Sequence, residues 1–103
     1  MGYGLPAAVG LCVSGKKQDT ICLEGDGSIM MNLQELQTIV TNKLPIKLFL
    51  INNSGYHSIR ITQNNLFKEH TKVGIGPESG DLSFPKFENI AKAFGFPYFS
   101  ASS

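Results

Sequence analysis

The sequence has no tryptophan, only two cysteines, and no excess of charge of either sign. Its 9 basic and 8 acidic residues are interspersed, so it lacks the basic surface that binds nucleic acid or an anionic membrane. No apolar run approaches a length of about 18 residues, which a membrane-spanning helix needs, and the N-terminus has no signal-peptide pattern. These absences favour a cytoplasmic protein whose partner is a small molecule or another polypeptide.

The two cysteines, Cys12 and Cys22, lie within apolar runs. They form no CxxC pair and have no cysteine–histidine spacing of the kind that binds zinc. A chain of 103 residues is long enough to bury a small core of its own. We therefore expect both thiols to be buried and reduced.

Two short apolar runs each end in a polar segment that contains glycine. Residues 20–23 run into Glu-Gly-Asp-Gly-Ser, and residues 46–51 run into Asn-Asn-Ser-Gly. Unbroken β-prone runs are typical of strands that are covered on both faces of a parallel sheet. Between them, Leu33, Leu36 and Ile39 have helical spacing, which predicts a helix that ends before Leu44-Pro45. Strand, helix and strand together predict a βαβ unit with two parallel strands.

Other patterns predict the remaining elements. Asn32 and Glu35 resemble a capping box for the helix between the strands. Residues 5–13 predict a mostly buried helix, and residues 83–95 predict another, with Ser83 as a cap and Gly95 as its end. We expect a long loop over residues 54–82, with a short helix near residues 59–67, and a third strand in the final FPYFSA segment.

The carboxyl ends of parallel strands meet at one edge of a sheet, where open α/β sheets bind ligands. Asp26 and Asn53 are therefore predicted to lie close together. Carboxylate, amide and carbonyl oxygens suit Mg²⁺ or Ca²⁺, and Gly27 and Ser28 offer N–H groups and a hydroxyl to phosphate oxygens. A turn aspartate and a polar strand end would explain each feature separately, but their coincidence favours a Mg²⁺-diphosphate site.

Gly25-Asp26-Gly27 followed by Asn52-Asn53 resembles the signature of thiamine diphosphate-dependent enzymes, in the domain that holds the cofactor's diphosphate. MGYGLPAAVG resembles the preceding segment in the acetolactate synthase-like branch. Together with NNSGY and SFPKFENIAKAFG, the resemblance covers essentially the whole chain. It implies an α/β fold with a parallel, doubly wound sheet and helices on both faces. It also implies that residues 1–103 are part of one thiamine diphosphate-binding domain, which would make the sheet incomplete and the chain a fragment of a larger protein.

The resemblance also implies the site. Mg²⁺ would be bound by Asp26, the side chain of Asn53 and the backbone carbonyl of Gly55. The cofactor would be contacted by Met1, Gly25, Gly27, Ser28, Gly55 and Tyr56. No catalytic residue is expected here, because the family's activating glutamate comes from the pyrimidine-binding domain of a partner subunit. The chain by itself is therefore expected to be inactive, as part of a homo-oligomeric enzyme that decarboxylates or joins 2-oxo acids.

Some residues leave alternatives open. Ser58 and Thr62 stand where acetolactate synthases generally have an apolar and an aromatic residue, so another 2-oxo acid decarboxylase or carboligase remains possible. His57, Arg60 and Gln63 would either contact substrate or lie in a solvated loop or helix face. VGIGPESG resembles a glycine-rich nucleotide loop but lacks P-loop spacing, so we interpret it as a flexible loop. The alternative function is a non-catalytic α/β module for subunit contact, or a degenerate fragment.

Overall fold

The computed structural model of the chain describes residues 1–68, 70 and 72–102. Its elements, in chain order, are α1 (Gly4–Ser14), β1 (Thr20–Gly25), the single turn α2 (Asp26–Ile29), α3 (Glu35–Asn42), β2 (Ile46–Ile51), α4 (His57–Leu66), a 3₁₀ turn (Pro77–Ser79) and α5 (Phe87–Phe94). Within these described ranges, no helix combines the length and apolarity that crossing a membrane requires.

Strands β1 and β2 pair in parallel, as the βαβ pattern predicts. The register begins with Thr20 opposite Ile46 and ends with Gly25 opposite Ile51. Both strands therefore stop at the same edge of the sheet, and the polar segments that follow them leave the sheet side by side. The predicted α/β fold with a parallel sheet is confirmed, and the described residues form two of its strands.

A single core lies between one face of the sheet and helices α1, α3 and α5. One side of α1 faces this core. It carries the buried residues Leu5, Ala8 and Cys12, which recur at helical spacing. Helix α5 ends at Gly95, whose φ of 81° is the left-handed conformation that commonly closes a helix. These helices match the predicted segments 5–13 and 83–95, apart from a later start for the second.

The other face of the sheet carries apolar side chains that remain exposed. Ile21 and Leu23 on β1 are 66% and 69% exposed, and Phe49 and Ile51 on β2 are 53% and 58% exposed. The sequence predicts strands that are covered on both faces. The described residues cover only one, because α1, α3 and α5 all contribute to the same core.

Three local predictions are wrong. Asn32 does not cap α3, because its side-chain oxygen accepts from the Gln34 side chain and its side-chain nitrogen donates to the Gly2 carbonyl. Ser83 does not cap α5, which begins at Phe87. Residues 96–101 form no strand, and neither β1 nor β2 pairs with a third strand in the described part of the chain. A strand needs a neighbouring strand to pair with, so the β-propensity of this segment alone does not make it one.

The predicted loop of residues 54–82 contains more regular structure than expected. Helix α4 occupies ten residues of it, from His57 to Leu66, and is longer than the short helix predicted near residues 59–67. The 3₁₀ turn lies further along, within VGIGPESG. The segment therefore begins with a helix that stands at the sheet's carboxyl edge.

Candidate functional site

Asp26 follows β1 directly and is 1% exposed. Its Oδ1 accepts a hydrogen bond of 2.8 Å from the Gly27 N–H, and its Oδ2 accepts one of 2.9 Å from the Gly55 N–H. A buried carboxylate needs such donors, because burial without partners is costly. The second bond also ties the end of β1 to the turn after β2, so Asp26 and Gly55 are held together across the strand ends.

The Asn53 side chain completes a cluster of three oxygen atoms. Its amide oxygen lies 3.1 Å from Asp26 Oδ1 and 2.8 Å from the Gly55 carbonyl oxygen, and half a turn of the amide would instead make its nitrogen a donor to both. Mg²⁺ binds oxygens at about 2.1 Å, which puts neighbouring ligands of an octahedron about 3 Å apart. The spacing of these oxygens therefore fits a cation that binds all three. Without a cation, the rotated Asn53 amide would donate hydrogen bonds to the other two oxygens.

The donor set also has the right chemistry for a hard cation. It comprises one carboxylate, one amide and one backbone carbonyl, and the part of the chain described by the structure contains no group of three or more His, Cys, Asp and Glu residues that could hold a metal. Such a set leaves positions on Mg²⁺ open for phosphate oxygens and water. It is unlike the nitrogen and sulfur sites that bind zinc.

The turn that carries Gly55 is tightly constrained by its backbone. Ser54 has a φ of 61° and Gly55 a φ of 135°, a value that side chains rarely allow. A Cβ atom on Gly55 would lie 1.9 Å from the Ile75 carbonyl oxygen, and one on Gly76 would lie 2.4 Å from the Ser54 carbonyl oxygen. The Tyr56 N–H donates to the same Ile75 oxygen at 2.8 Å. Glycine is therefore required on both sides of this contact.

Tyr56 and Ser28 form the walls beside Asp26. The Tyr56 ring lies so close to Gly27 that a Cβ there would be 2.4 Å from it, and it also packs edge-on against Phe84 at 5.7 Å. The Ser28 hydroxyl oxygen accepts a 2.8 Å bond from the Gly2 N–H, which leaves the hydroxyl proton available to an incoming acceptor. This bond also anchors the segment that places Met1 beside the site.

A cavity of about 340 Å³ unites these residues. All the predicted metal and cofactor residues line it: Met1, Gly25, Asp26, Gly27, Ser28, Asn53, Gly55 and Tyr56. The start of α4 contributes His57, Ser58 and Ile59 as well. The sequence indicates His57 only as one of two alternatives and gives no indication for Ile59. These residues directly follow the turn that carries Gly55. That position indicates that they line the site only if a helix is known to begin there.

Two of the other polar candidates serve different purposes. The Gln63 side chain donates to the Val73 carbonyl at 2.7 Å and accepts from the Val73 N–H at 3.1 Å. It lines a separate cavity of about 240 Å³ with Phe67, His70 and Val73. Arg60 does not line the 340 Å³ cavity but holds the backbone next to it, where its guanidinium donates to the Ser54 carbonyl.

The VGIGPESG segment is a loop with one 3₁₀ turn, and hydrogen bonds link its backbone to nearby side chains. Asp81 accepts from the Gly74 N–H, and the Ser79 hydroxyl oxygen accepts from the Ile75 N–H. These amides are occupied within the segment and are not free to bind phosphate. The composition of this segment resembles that of a nucleotide-binding loop because both kinds of loop need glycine at positive φ. Here those residues are Gly74 and Gly76.

Both cysteines are buried and free, as predicted. Burial raises the pKa of the Cys22 thiol, and the nearby negative charge of Glu24 raises it further. The Glu24 carboxylate is itself buried against Gly4, and within the described residues its Oε2 has no hydrogen-bond partner. Cys22 is therefore suited to the core rather than to thiolate chemistry.

The sequence matches, over residues 1–103, the family described as thiamine pyrophosphate enzyme, C-terminal TPP binding domain. The chain belongs to this family. Thiamine pyrophosphate is another name for thiamine diphosphate, so the family predicted from the two strand-end motifs is confirmed. The chain is part of a thiamine diphosphate-binding domain similar to that of acetolactate synthases.

Similar proteins agree with this assignment. The chain is 40% identical over 106 aligned residues to the acetolactate synthase large subunit of Porphyra purpurea, covering 100% of this chain and 17% of the relative. It is 40% identical over 95 residues to the acetolactate synthase isozyme 2 large subunit of Escherichia coli strain K12, covering 92% of this chain and 16% of the relative. The thiamine diphosphate-binding chain thus spans about a sixth of the length of these relatives.

A solved structure shares the fold. The thiamine diphosphate-dependent 4-hydroxybenzoylformate decarboxylase of Rhodococcus jostii RHA1 superimposes with a TM-score of 0.76 at 28% sequence identity. The match covers 92% of this chain and 17% of that one. The parallel α/β arrangement of this thiamine diphosphate-binding domain is therefore that of a known enzyme.

Proposed function

We propose that this chain binds the diphosphate of thiamine diphosphate through Mg²⁺, as one half of the active site of a larger enzyme that acts on 2-oxo acids. The observation that carries the proposal is the cluster of Asp26, Asn53 and Gly55 oxygens at the ends of two parallel strands. The cavity beside this cluster, about 340 Å³ in volume, offers room for the cofactor's diphosphate.

Each residue has a distinct part in this proposal. Asp26 supplies the negative charge, and its two N–H donors keep the carboxylate in place for the ion. Asn53 and the Gly55 carbonyl add neutral oxygens, while Ser28 donates its free hydroxyl proton to a phosphate oxygen. When bound, thiamine diphosphate supplies the electron sink that 2-oxo acid cleavage requires.

Met1, Tyr56 and the glycines shape the space for the cofactor. Met1 lines the cavity with an apolar side chain that we propose supports the cofactor in its bent shape. Because Gly27 has no side chain, the Tyr56 ring packs directly against it and lines one side of the cavity. Gly25, at the end of β1, has no atom close to the position of a Cβ. These residues bind and orient the cofactor without transferring protons themselves.

The site in this chain is incomplete for catalysis. It lacks the activating glutamate, which we propose comes from a pyrimidine-binding domain of a partner subunit in a cytoplasmic homo-oligomer. The thiamine diphosphate-binding chain spans about a sixth of the length of relatives called acetolactate synthases, which supports a role within a longer enzyme. We propose that the 103-residue chain alone is inactive.

The substrate is a 2-oxo acid whose pocket includes the start of α4. Ser58 lines the cavity there, and the Thr62 hydroxyl turns away to donate to the Ser58 carbonyl at 3.0 Å. A serine at this position offers a hydroxyl rather than an apolar surface. We therefore propose a 2-oxo acid decarboxylase or carboligase and leave acetolactate synthesis as one member of that class.

Calorimetry tests the proposal with a matched pair of variants. In the intact enzyme we expect thiamine diphosphate to bind much more tightly with Mg²⁺ than without it. Asp26→Ala should weaken that binding by about 10-fold or more, because it removes the charged metal ligand. Asp19→Ala is the control, because Asp19 is exposed, pairs with Lys47 at 3.2 Å and lies at the opposite end of β1 from Asp26.

Two results would contradict the proposal. One is the absence of cofactor binding by the unaltered intact enzyme in the presence of Mg²⁺. The other is equal Mg²⁺-dependent binding by Asp26→Ala and Asp19→Ala. Strong decarboxylation by the isolated chain would overturn the narrower proposal that this half-site is inactive alone.

A non-catalytic contact module is the second candidate function. The exposed apolar face that Ile21, Leu23, Phe49 and Ile51 form on the sheet favours it, because such faces usually contact another polypeptide. The two functions are separated by the same calorimetry. A contact module would bind no thiamine diphosphate, and Asp26→Ala would leave its behaviour unchanged.

A further inference from the structure

A folded segment of residues 72–81 packs against the turn that carries the Gly55 carbonyl. Ile75 is fully buried there, and its carbonyl accepts the Tyr56 N–H at 2.8 Å. The close approach of Gly55 and Gly76 leaves no room for a side chain on either. The position of the Gly55 carbonyl therefore depends on how firmly this segment is held against the turn.

Arg60 on α4 connects the parts of this contact. Its Nη2 donates to the Ser54 carbonyl at 2.9 Å, and its Nε donates to Glu78 Oε2 at 2.8 Å. Its Nη1 lies 3.3 Å from Nδ1 of His57. The side chain is only 17% exposed, which is low for an arginine that pairs at a surface. A guanidinium fork has the fixed geometry that such a bridge needs.

The bridge reaches the turn at a residue whose backbone is constrained. Ser54 has a φ of 61°, a backbone conformation that residues other than glycine adopt only when their surroundings enforce it. Arg60 holds the Ser54 carbonyl, which shares a planar peptide unit with the Gly55 N–H that donates to Asp26. An ordinary exposed ion pair would contribute little, but this one also fixes the main chain next to the oxygen cluster.

We propose that Arg60 is a positioning residue that, with Glu78, locks the Ser54–Gly55 turn so that the Gly55 carbonyl points into the metal site. The proposal rests on the Mg²⁺ site proposed above. It gives Arg60 a role one step removed from the ion, which explains why Arg60 does not line the cavity. Glu78 holds the other end of the bridge and also pairs with Lys72.

The test compares Arg60→Met with Lys72→Met in the full-length protein. Both variants remove a cation that pairs with Glu78, but only Arg60 reaches the turn. Mn²⁺ alone is the metal probe, followed by electron paramagnetic resonance. We expect Arg60→Met to raise the apparent Kd for Mn²⁺ by about 10-fold or more, and Lys72→Met to leave it nearly unchanged.

Hydrogen exchange in the absence of metal provides the second measurement. Arg60→Met should speed exchange of the Gly55 and Tyr56 amides, whose acceptors are Asp26 and Ile75, while Lys72→Met should leave them protected. If Arg60→Met does not fold, Glu78→Ala is the alternative, because Glu78 is exposed and holds the other end of the bridge. It should also raise the apparent Kd for Mn²⁺ and speed exchange of the Gly55 and Tyr56 amides.

The outcomes separate this proposal from the proposed function. Unaltered Mn²⁺ affinity and amide protection in Arg60→Met would overturn the positioning role while leaving the metal site intact. If the unaltered protein binds Mn²⁺ neither alone nor together with thiamine diphosphate, the metal site itself is refuted. The proposal that Arg60 positions the Gly55 carbonyl for a metal is then overturned too, whatever the exchange rates show.

Discussion

At the scale of single residues, two backbone contacts decide the shape of the site. Gly55 lies against the backbone of Ile75, and Gly76 lies against the backbone of Ser54, so closely that neither glycine tolerates a Cβ atom. Asp26 is held by the N–H groups of Gly27 and Gly55. The sequence predicted Asp26, Asn53 and Gly55 as neighbours because strand ends meet at one edge. It offered no signal for Gly76, whose partner is distant along the chain.

Gly55→Ala tests this contact against Gly10→Ala. At Gly55 the added Cβ would meet the Ile75 oxygen at 1.9 Å and would also require a φ of 135°, so we expect a loss of about 3 kcal/mol of unfolding free energy. At Gly10, inside α1, nothing lies within 4 Å, and alanine should stabilise by about 0.5 to 1 kcal/mol. Urea unfolding of both variants measures the difference, and equal stabilities would refute the predicted clash.

At the scale of elements, the segment of residues 72–81 is held by charged and polar side chains. Hydrogen bonding by Lys72 holds the pKa of Glu78 below its usual range, and Arg60 adds to this effect. The Ser79 hydroxyl and the Gly74 N–H likewise lower the pKa of Asp81. Side-chain bonds to backbone amides hold this segment in the structure, and sequence composition does not reveal them.

These lowered pKa values predict acid sensitivity. A carboxylate whose folded pKa is depressed stabilises the fold above its unfolded pKa of about 4, and this stabilisation is lost as pH falls through the folded value. We expect Asp81→Asn to be less stable than the unaltered protein at pH 6, with the difference shrinking toward pH 3. Chemical unfolding across this range measures it.

Asp19→Asn is the control for the acid prediction. Asp19 is exposed and its 3.2 Å pair with Lys47 lies at the surface, so this substitution should have a small effect at every pH. A stability difference for Asp81→Asn that stays constant from pH 6 to pH 3 would show that the charge of Asp81 is not what holds the segment.

At the scale of the whole molecule, the chain is less compact than an average domain of its length. Its radius of gyration is 15.6 Å, whereas a compact domain of about 100 residues has about 13 Å. Leu23 and Phe49 lie opposite each other in the sheet register and are both exposed. An apolar sheet face of this kind favours association with another polypeptide.

We therefore predict that the 103-residue chain self-associates in solution. Sedimentation velocity should show concentration-dependent association, because burying Leu23 and Phe49 removes apolar surface from water. The double variant Leu23→Lys with Phe49→Lys should shift the chain toward monomer. Leu66→Lys, at a 70% exposed position on α4, is the control and should leave the association unchanged. A chain that stays monomeric at all concentrations would contradict the prediction.

The sequence by itself determined the two strands, the helix between them and the meeting of Asp26 with Asn53, because apolar runs, helical spacing and the parallel crossover are local or topological rules. Only the tertiary structure decided that residues 96–101 form no strand, that Asn32 bonds to Gly2, and that Arg60 holds the Ser54 carbonyl. These features depend on contacts between segments that are distant along the chain, and neither propensity nor spacing encodes which of several possible polar partners is in reach.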